Sequence, residues 1–164
     1  MTYVHQPTAK DVRELLSGLV GREVSVQAGA EVLSVDTPGG LLVGTYVDRL
    51  GTLRAVAVTN LPAAACLGTS IALMPPGRAA EAVGTNVLDS DLAENTAEVL
   101  NVMASLFNVD EAMHLRLDKW YEPGVLLPPA VAPWVTAWID RLNLTIDVKG
   151  YGTGYLSIAS GMNS

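Results

Sequence analysis

Residues 89 to 108 read Asp89-Ser-Asp-Leu-Ala-Glu-Asn-Thr-Ala-Glu-Val-Leu-Asn-Val-Met-Ala-Ser-Leu-Phe-Asn108. Placed at about 100° per residue with Leu100 at zero, Leu92, Ala93, Thr96, Ala97, Met103, Ala104 and Phe107 fall within roughly 80° of it. Asn101, Glu94, Ser105, Glu98 and Asp91 gather between about 100° and 180°, with Ser90 and Asn108 at the edge of the apolar stripe. The spacing predicts an amphipathic helix over about 90–108, opened by Asp89-Ser-Asp. A helix with one apolar stripe must lay it on another apolar surface.

The segments around it say what that surface is. Residues 23–27 alternate polar and apolar, 41–47 are rich in β-branched and aromatic residues, and 53–59 alternate again. Pro38-Gly-Gly and Leu50-Gly-Thr mark turns between them. After the long helix, 114–120 alternates, and 142–148 and 155–159 flank Gly150-Tyr-Gly-Thr-Gly as a hairpin would. Further helices are predicted over about 9–20, with Thr8 as N-cap, Asp11 three residues on and Gly21 at the C-terminus, and over Arg78–Val83. Leu61–Met74 is ambiguous: its alanines favour helix, but Gly68, Thr69 and Ser70 interrupt it. We read a turn near Asn60-Leu-Pro and then a strand over about 65–74. Residues 121–133, with Pro123, Pro128, Pro129 and Pro133, read as loop, and Trp134–Ile139 as a helical turn or a strand. The expected architecture is α+β, helices packed on a largely antiparallel sheet, in one domain over 1–164 with residues 1–7 as a short arm.

Composition narrows the function classes. The 164 residues include 17 acidic and 10 basic side chains, a net charge of −7, and the isoelectric point is near 4.6. That balance argues against a nucleic-acid-coating protein, which needs a basic face. The chain is 49% apolar and 16% charged, enough to build a core. Its most apolar run, Leu61–Met74, is shorter than the ~20 residues that span a bilayer. The N-terminus lacks the basic start and apolar core of an export signal, so a cytoplasmic location is expected. Cys66 is the single cysteine, which excludes an internal disulfide and a Cys-rich zinc site.

On the polar face of the long helix, Glu98 and Asn101 are spaced i, i+3 and neighbour each other. A carboxylate can hold a partner's cation. A carboxamide donates and accepts hydrogen bonds, and so can orient a water without taking its proton. Phosphoryl transfer to water asks for little more than such positioning, with charge neutralised by a metal and a lysine. The same spacing also describes any solvated helix face.

Glu94-Asn-Thr-Ala-Glu98-Val-Leu-Asn101-Val-Met-Ala resembles the signature helix of the CheC/CheX/FliY family of chemotaxis phosphatases. Its pattern is Asp or Ser, three residues, Glu, two residues, Asn, then a proline roughly two dozen residues on. Glu98 and Asn101 match the catalytic positions, Pro123 lies 22 residues past Asn101, and Val102-Met103 matches the apolar pair after the Asn. Glu94 stands where the family has Asp or Ser, and Ala104 or Ser105 where it often has Gly. A single motif makes the chain look more like CheX than CheC. The order of elements resembles the family over most of residues 8–159, with a hairpin from Val56–Asn60 leading to an apolar strand that ends at Ile71-Ala-Leu-Met.

The resemblance implies a hydrolase of two-component signalling that docks on a phosphorylated CheY-like response-regulator receiver. Glu98 would pair with the receiver's lysine. Asn101 would align a water in line with the aspartyl-phosphate, and Glu94 and Ser105 would contact the partner. The magnesium would belong to the receiver, so no cofactor or metal of the chain's own is expected. A homodimer is implied, with neither nucleic acid nor membrane as partner. The alternative is a module of the same fold that binds a receiver or another protein without hydrolysis. A third possibility is a structural dimer formed through the C-terminal aromatic strands.

Other motifs carry less. His5 and His114 lack Cys, Asp or Glu at metal-ligand spacing. His114 reads as a polar residue opening a strand. Cys66 sits in an apolar run as a buried thiol would. Gly150-Tyr-Gly-Thr-Gly lacks P-loop spacing and precedes a strand, so it reads as a turn. Ser157 and Ser160 have no His and Asp set at recognisable spacing. Trp120-Tyr121 and Trp134 with Trp138 read as core filling or a contact seam.

Overall fold

The computed structural model describes residues 3–136 and 139–161. Six strands, β1 (Val24–Ala28), β2 (Leu41–Val47), β3 (Leu53–Asn60), β4 (Arg116–Tyr121), β5 (Arg141–Val148) and β6 (Gly152–Ser160), form one sheet. Their order is β1-β5-β6-β3-β2-β4, and every neighbouring pair is antiparallel. Helices α1 (Ala9–Val20), α2 (Leu61–Ile71), α3 (Pro76–Thr85) and α4 (Ser90–Met103) join the sheet's one face in a single core. On the other face Leu33, Val131, Trp134 and Val135, the last two from the short α5 (Ala132–Thr136), cover Leu41, Val43, Val56, Val58 and Ala159. The fold is α+β, helices on an antiparallel sheet, as expected. β2 is buried along its whole length because both faces are covered, which is why 41–47 reads as an apolar run and not as an alternation.

Local signals fix α1. Thr8 and Asp11 form a capping box, Gly21 closes the helix in the left-handed conformation, and Val12, Leu16 and Val20 face the core.

Residues 61–71 correct the sequence reading: they are helix α2, not a turn followed by a strand. Asn60 is the N-cap, its Oδ1 accepting from the Ala63 N–H (3.0 Å) and also from the Tyr155 N–H (3.0 Å). Every residue from Ala63 to Ser70 is buried, so the helix has no polar face and hence no amphipathic period to read. Thr69 and Ser70 do not interrupt it. Their hydroxyls donate back to the carbonyls of Ala65 (2.7 Å) and Leu67 (3.2 Å), which satisfies them inside the core.

Smaller differences are local. α3 runs longer at both ends than the expected 78–83. α4 ends at Met103 rather than 108 and passes into a 3-10 turn, Ala104–Leu106. There Asn108 turns the chain, its Oδ1 accepting from the Leu115 N–H (2.8 Å) and its Nδ2 donating to the Leu115 carbonyl (2.9 Å). β4 begins at Arg116, so His114 precedes the strand it was expected to open. Gly152 and Gly154 belong to β6, and Lys149–Tyr151 make the turn. Trp138 lies outside the described residues.

Candidate functional site

The candidate site is the outer face of α4, and its placement begins with how closely α4 is seated. A Cβ added at Gly68 of α2 would lie 2.5 Å from the Leu92 carbonyl oxygen and 2.8 Å from Thr96 Oγ1. Only glycine lets the two helices approach this far. Buried Thr96 donates to the Ala64 carbonyl across the contact (2.6 Å) and lies within hydrogen-bond distance of the Leu92 carbonyl (3.0 Å), while Asn95 Nδ2 donates to the Gly68 carbonyl (3.1 Å). At the sheet, Gly44 of β2 leaves room for Leu100, and the Tyr46 hydroxyl donates to the Leu100 carbonyl at 2.6 Å. At the helix start, Arg78 Nη2 of α3 donates to both carboxylate oxygens of Asp91 (3.2 and 3.0 Å). This pairing holds the Asp91 carboxyl below the usual carboxylate range.

What this leaves outward is Glu94, Glu98, Asn101 and Ser105, all exposed. Their side chains make no hydrogen bond or ion pair among the described residues. The four sequence-predicted site residues therefore share one open face, with Glu98 and Asn101 adjacent on it, their Cβ atoms ~5–6 Å apart by helix geometry. Asp91, which periodicity puts on the same face, is instead occupied by Arg78. Val99 is fully buried although it falls outside the stripe read from sequence, because α4 packs on α2 as well as on the sheet. Val102 is half-buried and Met103 buried.

The open face can act in a limited way. Two carboxylates and an amide can accept a cation and orient a small polar molecule, but no nucleophile stands beside a base. Among the described residues no group of three or more His, Cys, Asp or Glu could hold a metal ion. No described helix is long and apolar enough to cross a membrane.

Pro123, the last element of the motif, does not lie beside Asn101. It packs on Gly40 and lines a cleft with Asn86, Val87 and Leu88. Residues 86–88 lead into the start of α4, which lies roughly 17 Å along the helix axis from Asn101.

The remaining candidates find ordinary places. His114 is exposed and His5 half-buried. Cys66 is buried on α2, and burial, with Asp147 adding to it, pushes its thiol up to about 11. Ser160 is hydrogen-bonded to Gln6. Trp134 fills the second core, Trp120 is half-buried against the first and Tyr121 against the second. The site residue that sequence reasoning missed is Tyr46. The only local signal was the glycine two positions earlier in the same strand, a mark of close approach by another part of the chain.

No family model matches the chain, and no curated protein matches it either. Solved structures do. A chain of the FliM–SpeE complex from H. pylori superposes with a TM-score of 0.63 at 13% identity, covering 93% of this chain and 80% of that one. FliY from Thermotoga maritima gives 0.55 at 15% identity, covering 91% and 82%. The FliM middle domain from Vibrio alginolyticus gives 0.55 at 9% identity, covering 93% and 88%. At these identities the likeness is one of fold: the chain has the fold of the FliM middle domain and FliY.

Proposed function

We propose that this protein is an aspartyl-phosphate phosphatase acting on a phosphorylated CheY-like receiver. The observation that carries the reading is the pairing of Glu98 with Asn101, exposed, adjacent and unpartnered on a helix where Asp91, Asn95 and Thr96 are engaged. A pair held in structural hydrogen bonds would have favoured a scaffold.

In this reading the Glu98 carboxylate meets the receiver's lysine, and Glu94 and Ser105 extend the contact on either side. The Asn101 carboxamide enters the receiver's site, accepts a hydrogen bond from the water and fixes the water's lone pair toward phosphorus. Water attacks, the bond from phosphorus to the aspartate oxygen breaks, and inorganic phosphate and a free carboxylate leave. The catalytic effect is positioning, since the bound magnesium and lysine of the receiver neutralise charge. The chain contributes no metal, and a cytoplasmic setting follows from the substrate.

A second reading is a binding module without hydrolysis. One observation favours it: two of the FliM structures of this fold are of complexes, one with SpeE and one with FliG. The implied homodimer is part of the proposal too.

The test is the decay rate of receiver domains charged with acetyl phosphate. Wild type accelerates decay. Asn101→Ala loses about 100-fold in rate while still binding. Glu98→Ala weakens binding by at least about tenfold through the lost ionic contact. Binding without acceleration in wild type establishes the module instead.

A further inference from the structure

We propose that Tyr46 is a positioning residue for Asn101, an inference that rests on the phosphatase reading above. The last four carbonyls of a helix lack intrahelical donors. In α4 the Ala104 N–H closes back onto the carbonyls of Asn101 and Val102, tightening the last turn and leaving the Leu100 carbonyl to find another donor. That carbonyl belongs to the peptide bond joining Leu100 to Asn101. The Tyr46 hydroxyl takes it at 2.6 Å, and this is the hydroxyl's one hydrogen bond among the described residues.

Three further observations single Tyr46 out from ordinary core filling. It is fully buried, where a phenol hydroxyl costs stability unless bonded, so phenylalanine would serve a purely apolar role better. Its ring meets Phe107 at 5.0 Å and 57°, so one side chain touches the chain both before and after the last turn of α4. The sheet is also bent at this point on both sides. Pairing with β3 runs from Tyr46–Ala55 to Val47–Leu53, passing over Arg54, and pairing with β4 runs from Thr45–Lys119 to Tyr46–Leu117, passing over Asp118. Each neighbour carries an extra residue beside Tyr46, the form of bulge that re-aims a side chain. Two residues earlier, Gly44 lets Leu100 settle, since a Cβ there would stand 2.8 Å from Leu100 Cδ1. Strand β2 thus sets the height of α4 at Gly44 and its rotation at Tyr46. Asn101, next in sequence and pointing the other way, inherits that setting.

The experiment is steady-state dephosphorylation of a phosphorylated receiver by wild type, Tyr46→Phe, Asn101→Ala and the double variant. Amide hydrogen exchange over residues 100–104 is measured alongside. Tyr46→Phe is expected to lower kcat about tenfold with KM unchanged, and to have no further effect in the Asn101→Ala background. Exchange at 100–104 is expected to quicken while the rest of the sheet stays protected. Gly44→Ala, which lifts Leu100 from below, is expected to reproduce the kcat loss. The inference is overturned if Tyr46→Phe leaves kcat at the wild-type value while Asn101→Ala abolishes turnover. It is also overturned if the kcat loss is as large without Asn101 as with it. Failure of wild type itself to accelerate decay sinks the phosphatase reading instead, and is seen before any Tyr46 variant is made.

Discussion

Replacing glycine by alanine inside a helix has opposite effects at two places in this chain. In an open helix the change stabilises by ~1 kcal/mol, because glycine loses more backbone freedom on folding. Gly18 is such a place: it is exposed on α1, and a Cβ there meets nothing within 4 Å. Gly68 gains the same ~1 kcal/mol, but its new Cβ would stand 2.5 Å from the Leu92 carbonyl oxygen and 2.8 Å from Thr96 Oγ1. The nearer atom is backbone of a packed helix, so the helices must separate. Overpacking of that kind costs about 2 kcal/mol. Separation also stretches the 2.6 Å Thr96–Ala64 hydrogen bond, at a further cost of ~1 kcal/mol. The net loss is about 2 kcal/mol. For a chain of this size each kcal/mol moves the melting temperature by roughly 2–4 °C. Gly18→Ala should therefore melt about 2–4 °C higher than wild type, and Gly68→Ala about 4–8 °C lower. Thermal unfolding followed by circular dichroism at 222 nm reads both. A Gly68→Ala protein that melts at or above wild type would refute the close α2–α4 contact on which the placement of the α4 face depends.

Three more outcomes are expected. The Asp48 carboxylate accepts from the Thr52 N–H (3.0 Å), from Arg54 Nε (2.8 Å) and from the Leu50 N–H (2.9 Å), and these hold its pKa below the ordinary value. Its folded pKa is thus below the unfolded ~3.9, so the stability it adds is present above that value and is lost as pH falls through the lower folded one. Asp48→Asn should melt below wild type at pH 7, the gap closing under about pH 4; an equal gap at pH 7 and pH 3 would contradict this. Cys66, buried with its thiol pushed up to about 11, should resist a thiol reagent at pH 8 in the native protein and react at once in denaturant. Rapid native labelling would place the thiol at the surface. Thr8→Ala removes the side chain that accepts from the Asp11 N–H and should cost about 1 kcal/mol in urea unfolding; an unchanged midpoint would mean that the capping box adds nothing.

The parts of the fold that can be read from sequence are those whose determinants are local. Helix α1 is bounded by Thr8, Asp11 and Gly21, whose side chain, backbone and φ act within a turn of the ends they cap. The polar face of α4 is equally local. Helix geometry alone puts Glu94, Glu98, Asn101 and Ser105 on one side, and the structure leaves all four exposed. Helix α2 failed to show itself because burial on every side removes the contrast between faces that periodicity depends on. The two signals that remain, Asn60 as a cap and Pro62 in the first turn, are equally those of a turn. Where α4 stops was equally hidden, since Asn108 turns the chain by bonding to Leu115, seven residues away.

By itself, then, the sequence determined the α+β class, the antiparallel hairpins and which side chains of α4 stand together, since each follows from a repeat of 2 or 3.6 residues or from a cap. Only the tertiary structure decided which of those side chains remain free. Arg78 reaches across from α3 to take Asp91, and Gly68 admits Thr96 and Asn95 to bonds with α2, while Glu98 and Asn101 meet nothing. The bond from Tyr46 to the Leu100 carbonyl spans 54 positions of sequence. Such contacts depend on how strand and helix are brought together in space, which no spacing along the chain records.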